Sequence, residues 1–128
     1  MAIGILLITH EEVGQSLLKV ATTTLGTLPL PTTNIAIDYN CDPEQLVPKI
    51  HRQIQSLDQG GGVLILTDLF GSTPCNIACK LQKIDHVEVV AGLNLPMLIR
   101  VMNYPTLNLE DLAHKASSGG HDGIIECH

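Results

Sequence analysis

The sequence predicts an α/β fold: one domain, a mostly parallel central sheet of four strands in the order 2-1-3-4, and helices on both faces. Three observations predict it. Short apolar runs recur along the chain, and the first three are each followed by a stretch with helical apolar spacing. The leading runs are apolar throughout, as strands buried on both faces are. Right-handed crossovers then make 2-1-3-4 a natural strand order. The 128 residues suit a single domain spanning 1–128, and no internal repeat, linker or low-complexity tract divides them.

The elements follow in order. Ala2 to Ile8 is a continuous apolar run and reads as the first strand. Glu11 to Leu25 carries Val13, Leu17, Ala21 and Leu25 four apart, one apolar helix stripe, and Gly26 can end it. Pro29 and Pro31 mark a connection, and Thr33 to Ile37 is the second strand. Asp42 can cap a second helix with Pro43 in its first turn, burying Leu46, Ile50, Ile54 and Leu57. Pro48 is expected to kink that helix or shift its start.

Gly60 to Gly62 punctuates the chain before the third strand, Val63 to Thr67. A third helix spans roughly Pro74 to Gln82, and Val87 to Gly92 is the fourth strand. A short apolar helix runs from Pro96 to Asn103, and the segment from Met97 to Met102 is a candidate oligomer interface. Asn108 can cap a further helix bearing Leu109, Leu112 and Ala116, which Ser117 to Gly120 should break. Gly123 to Cys127 is a candidate fifth strand at the sheet edge.

Composition excludes several functions. One Phe, two Tyr and no Trp leave little for base stacking, aromatic cages or sugar platforms. Seven basic residues against 13 acidic ones give a net charge of −6, the wrong sign for a nucleic-acid binder. No segment reaches the ~20 apolar residues of a membrane span, so direct membrane insertion is not expected. The N-terminus lacks the basic region and cleavage site of a signal peptide. Cys41, Cys75, Cys79 and Cys127 match no zinc-ribbon spacing and read as reduced, mostly structural thiols of a cytoplasmic protein.

The expected site lies where the strand order reverses, at the carboxyl ends of strands 1 and 3. Strand 1 runs into Thr9-His10 and strand 3 into Thr67-Asp68, so a histidine meets an aspartate there. The next segment, Leu69-Phe70-Gly71-Ser72-Thr73-Pro74, leads into a helix, with Ser72 or Thr73 as its N-cap. Free amides and the positive helix end can hold a phosphate, so Gly71, Ser72 and Thr73 form a candidate anion cradle. A neutral imidazole nitrogen can attack a phosphoryl group, and Asp68 can fix its tautomer through the other nitrogen. No Gly-x-x-x-x-Gly-Lys-Ser/Thr loop and no Gly-x-Gly-x-x-Gly fingerprint is present, so a phosphocarrier fits better than an ATPase or a dehydrogenase. No metal and no cofactor is expected.

At these residues the chain resembles the enzyme IIA domain of the mannose-type sugar phosphotransferase system, in a stand-alone form. The matching stretches are Gly4 to His10, Thr67 to Asn76 and Ala91 to Leu98. The resemblance implies that His10 is phosphorylated by the histidine phosphocarrier HPr, that Asp68 is its partner, and that Thr73 and nearby amides meet the phosphoryl group. It implies a cytoplasmic homodimer that passes the group to a IIB component or uses it as a regulatory signal. Phe70 occupies a position that lies at the partner surface in the family, and Tyr39 closes strand 2 at the same sheet edge. Members often have a second glycine where this chain has Ser72. Two other readings stay open: the phosphotransfer subunit of a dihydroxyacetone kinase, and a non-catalytic regulatory module gated by His10 phosphorylation. His51, His86, His114, His121 and His128 are expected at the surface, and Cys127-His128 is only a weak metal pair.

Overall fold

A computed structural model gives the structure of the chain and describes residues 2–83 and 86–128. Four strands form one sheet: β1 (Gly4–His10), β2 (Thr32–Ile37), β3 (Val63–Thr67) and β4 (Val87–Ala91). Five helices connect or follow them: α1 (Val13–Leu25), α2 (Pro43–Leu57), α3 (Thr73–Leu81), α4 (Leu95–Met102) and α5 (Leu109–Asp122). The strand order is β2-β1-β3-β4 and every pairing is parallel, as the sequence predicts.

The sheet separates two cores. Alternate residues Ile3, Ile5 and Leu7 meet α1, α4 and α5 on one face. Leu6 and Ile8 meet α2 and α3 on the other, with Ile50, Ile54 and Ile77. That two-sided burial is why β1 and β3 read as unbroken apolar runs. The register sets Ile8 beside Thr67, so β1 extends past β3 by the two residues Thr9 and His10.

Several ends are as expected. Asp42 accepts the Glu44 amide at 3.0 Å as the α2 cap, and Asn108 accepts the Asp111 amide at 2.9 Å as the α5 cap. Gly26, with φ of 86°, closes α1. The Gly60 to Gly62 segment is a loop, in which Asp58 accepts the Gly60 and Gly62 amides. The four cysteines are free thiols, Cys75 buried and Cys79 exposed.

Other expectations fail for identifiable reasons. Helix α1 starts at Val13, because the chain first turns through Glu11. Helix α2 starts at Pro43, so Pro48 does not shift its start, and the helix continues past Pro48 to Leu57. Pro48 is exposed, so water can satisfy the carbonyl one turn earlier that the ring leaves without a donor. Ser117 to Gly120 does not break α5, which runs to Asp122. Tertiary packing outweighs local propensity there: a Cβ at Gly119 would lie 2.4 Å from the Cβ of Arg100 on α4. Residues 123–128 form no strand. Ile124 and Ile125 are both 77% exposed, and among the described residues the sheet ends at β4. Of the Met97 to Met102 segment, Met97, Leu98, Val101 and Met102 fill the chain's own core and only Ile99 and Arg100 remain half-buried at the surface.

Candidate functional site

His10 is the last residue of β1, and Asp68 follows the last residue of β3. The offset between the strands brings them together. The His10 backbone amide donates to Asp68 Oδ2 at 3.0 Å. The ring Nδ1 lies 3.1 Å from Oδ1 and 3.0 Å from Oδ2. One carboxylate thus holds both the backbone and the ring of the histidine. An acceptor on Nδ1 selects the tautomer with its proton there and leaves the lone pair on Nε2. Among the described residues no hydrogen bond engages Nε2. The His10 side chain is 44% exposed and that of Asp68 only 13%, so the ring faces water and its partner does not.

Sharp backbone geometry places the ring. Glu11 has φ of 45°, a left-handed conformation rare outside glycine, and its amide donates to the Ile37 carbonyl at 3.0 Å. The preceding residue, Thr9, is buried, and its hydroxyl accepts the Gly14 amide at 2.8 Å. Glu12 provides no side-chain cap to α1, so Thr9 does that from the strand. A Cβ at Gly14 would stand 2.1 Å from Asn34 Oδ1 and 2.8 Å from Thr9 Oγ1, so only glycine lets α1 approach this closely.

The Gly71 to Thr73 segment leads into α3. Gly71 has φ of 79° with nothing near its absent Cβ, so the turn itself demands glycine. Ser72 is the N-cap residue, yet its hydroxyl donates to the Leu69 carbonyl at 2.6 Å. It therefore braces the loop and caps no amide. Pro74 carries no N–H, and the Asn76 amide bonds the Ser72 carbonyl at 2.9 Å. Among the described residues, the amides of Thr73 and Cys75 find no acceptor and stay as donors of the first turn.

A cavity of about 390 Å³ opens at His10, lined by Glu11, Ile37, Asp38, Tyr39, Cys41, Pro43 and Thr73. The structure thus brings Tyr39 and Thr73 to His10. Phe70, 82% exposed, instead borders a neighbouring groove with Glu88, Val90, Glu110 and His114. The structure adds Glu11, Asp38 and Cys41 to the site; their one sequence signal is a position just past the ends of β1 and β2. Among the other histidines, His51 is half-buried and engaged in an interaction, while His86, His114, His121 and His128 are exposed. Among the described residues no cluster of three or more His, Cys, Asp or Glu side chains could hold a metal ion.

Comparison with known proteins identifies the family of the chain. The family model EIIA-man, described as "PTS system fructose IIA component", matches residues 4–116. The mannose-specific EIIAB component of the phosphotransferase system of Escherichia coli K12 is 32% identical over 130 aligned positions, covering 97% of this chain. The chain spans 39% of that relative's length. The fructose-specific EIIA component of Bacillus subtilis is 30% identical over 86 positions, covering 66% of this chain and 59% of the relative. Among solved structures, the mannose/sorbose specific IIA subunit from Enterococcus faecalis superposes with a TM-score of 0.88 at 25% identity, covering 100% of this chain and 96% of that one. With a family model matched over residues 4–116 and the fold of a solved IIA subunit, this chain belongs to the mannose-type IIA family of the phosphotransferase system.

Proposed function

We propose that residues 1–128 form one IIA phosphocarrier domain that takes a phosphoryl group from phospho-HPr on His10. The observation that carries this reading is the double hold of Asp68 on Nδ1, which leaves Nε2 as the nucleophile. The Nε2 lone pair attacks phosphorus, the bond to the donor's nitrogen breaks, and that nitrogen keeps the electron pair. The Nδ1 proton stays on His10, and the positive charge that develops on the ring is stabilised by Asp68. The Thr73 hydroxyl and the unengaged amides at the start of α3 receive the spread phosphoryl charge. Ser72, bonded to Leu69, shapes Gly71 to Thr73 without donating its hydroxyl to the phosphoryl group.

The group then passes in the cytoplasm to a IIB component or stays as a regulatory signal. Tyr39 and Phe70, both exposed, are the aromatic contacts for HPr. A homodimer belongs to this reading. Its support is the edge strand β4, paired on one side only, together with exposed Ile124 and Ile125. Sedimentation should give the mass of two chains; the mass of one chain would exclude the dimer.

The function is tested by incubating the chain with enzyme I, HPr and labelled phosphoenolpyruvate. The wild type should gain an acid-labile label and His10→Ala should gain none. A label that survives His10→Ala would sink the assignment.

A further inference from the structure

Only two polar residues are buried among those described, Thr9 and Thr67, and each directly precedes a member of the His10–Asp68 pair. The backbone behind His10 is held through the Thr9 hydroxyl by Gly14. The hold on Thr67 is different. Its hydroxyl has no partner, and its carbonyl accepts the Leu93 amide at 2.9 Å. Leu93 reaches it because Gly92 takes φ of 90° straight after β4 ends at Ala91. Nothing lies within 4 Å of where a Gly92 Cβ would be, so the backbone conformation alone demands glycine there. The same turn carries Asn94, which accepts the Met97 amide at 2.9 Å and donates to the Gly120 carbonyl at 3.1 Å. Leu93 is thereby fixed between β4 and a capped helix.

We infer that Gly92 is a positioning residue for Asp68. Its left-handed turn aims the Leu93 amide at the Thr67 carbonyl and fixes the end of β3. The next peptide unit then holds the Asp68 carboxylate where both its oxygens meet Nδ1 of His10. The Ala91 to Leu98 stretch thus serves the histidine without touching it. Its consequence for transfer rate rests on the phosphocarrier reading; its consequence for the ring tautomer does not.

The experiment uses the full chain labelled with ¹⁵N-histidine, and reads the His10 tautomer by NMR beside the rate of phosphorylation by phospho-HPr. The wild type should hold the Nδ1–H form. Gly92→Ala should move the ring toward Nε2–H, the form a free imidazole favours, and slow transfer by roughly a hundredfold, the cost of about 1 Å of misplacement. Gly92→Asn should restore both, since asparagine tolerates left-handed backbone. Gly26→Ala is the control. It places a Cβ on a turn of similar positive φ, 86°, likewise in open space, at the other end of α1. It should leave the tautomer unchanged.

A wild-type tautomer in Gly92→Ala, an equal shift in Gly26→Ala, or no rescue by Gly92→Asn would each overturn the inference. Should Gly92→Ala not fold, hydrogen exchange in the wild type decides. The Leu93 amide must then be as protected as the β3 amides, and free exchange there would overturn it. A tautomer shift in a chain that takes no label from HPr would sustain the positioning role and remove the phosphocarrier reading.

Discussion

Asp68 commits both oxygens to one histidine, and the consequence is chemical more than structural. An asparagine at that position fits the same space but offers an amide donor on one side. Asp68→Asn should therefore allow the wrong tautomer and lose the charge opposite the forming imidazolium. Phosphorylation of His10 should slow by roughly 10²- to 10⁴-fold while the fold is retained. Rapid-quench transfer from phospho-HPr measures this, and a wild-type rate in Asp68→Asn would refute the role. The two buried threonines separate cleanly by stability. Thr9→Val leaves the Gly14 amide without its acceptor and should cost about 1–3 kcal/mol. Thr67→Val removes a buried hydroxyl that has no partner, so it should be neutral or stabilising. Urea midpoints of the two variants at equal slope decide the contrast.

At the scale of elements, the segment after Asn108 shows local propensity losing to packing. Ser117 to Gly120 looks like a helix break because serine and glycine are poor helix formers. In the structure the glycines are contact points. Gly119 faces Arg100, and Gly123 faces Pro96 with 2.3 Å to where a Cβ would be. Gly119→Ala should raise intrinsic helix propensity and still destabilise the protein by about 1–3 kcal/mol, because the added methyl meets a helix flank. A raised melting temperature in Gly119→Ala would refute that account. The helix bounds themselves are legible to within two residues at α3 and α4, since a proline sits in the first turn of each.

Across the whole molecule, the net charge of −6 and two of the three exposed aromatics, Tyr39 and Phe70, describe the docking problem. Tyr39 stands in the His10 cavity and Phe70 beside the neighbouring groove, so a partner covering His10 can meet both. Phe70→Ala should slow phosphorylation by HPr roughly tenfold, mainly through KM, with an unchanged melting temperature. A wild-type KM would show that Phe70 lies outside the contact. The scarcity of aromatics, which argues against stacking ligands, is also what makes these two positions conspicuous.

The amino-acid sequence by itself determined the α/β class, the strand order, the His10–Asp68 meeting point and the loop that leads into α3. The class and the loop are matters of local periodicity and turn residues, written in neighbouring residues; the strand order and the meeting point follow once the right-handed crossover rule is added. Only the tertiary structure decided the rest. It extended α5 through its glycines, buried Met97, Leu98, Val101 and Met102, left 124–128 without a strand, and committed Ser72 to Leu69. It also put Gly92 behind Asp68. Those outcomes depend on which surfaces lie opposite one another, and a chain read one segment at a time carries no record of what packs against it.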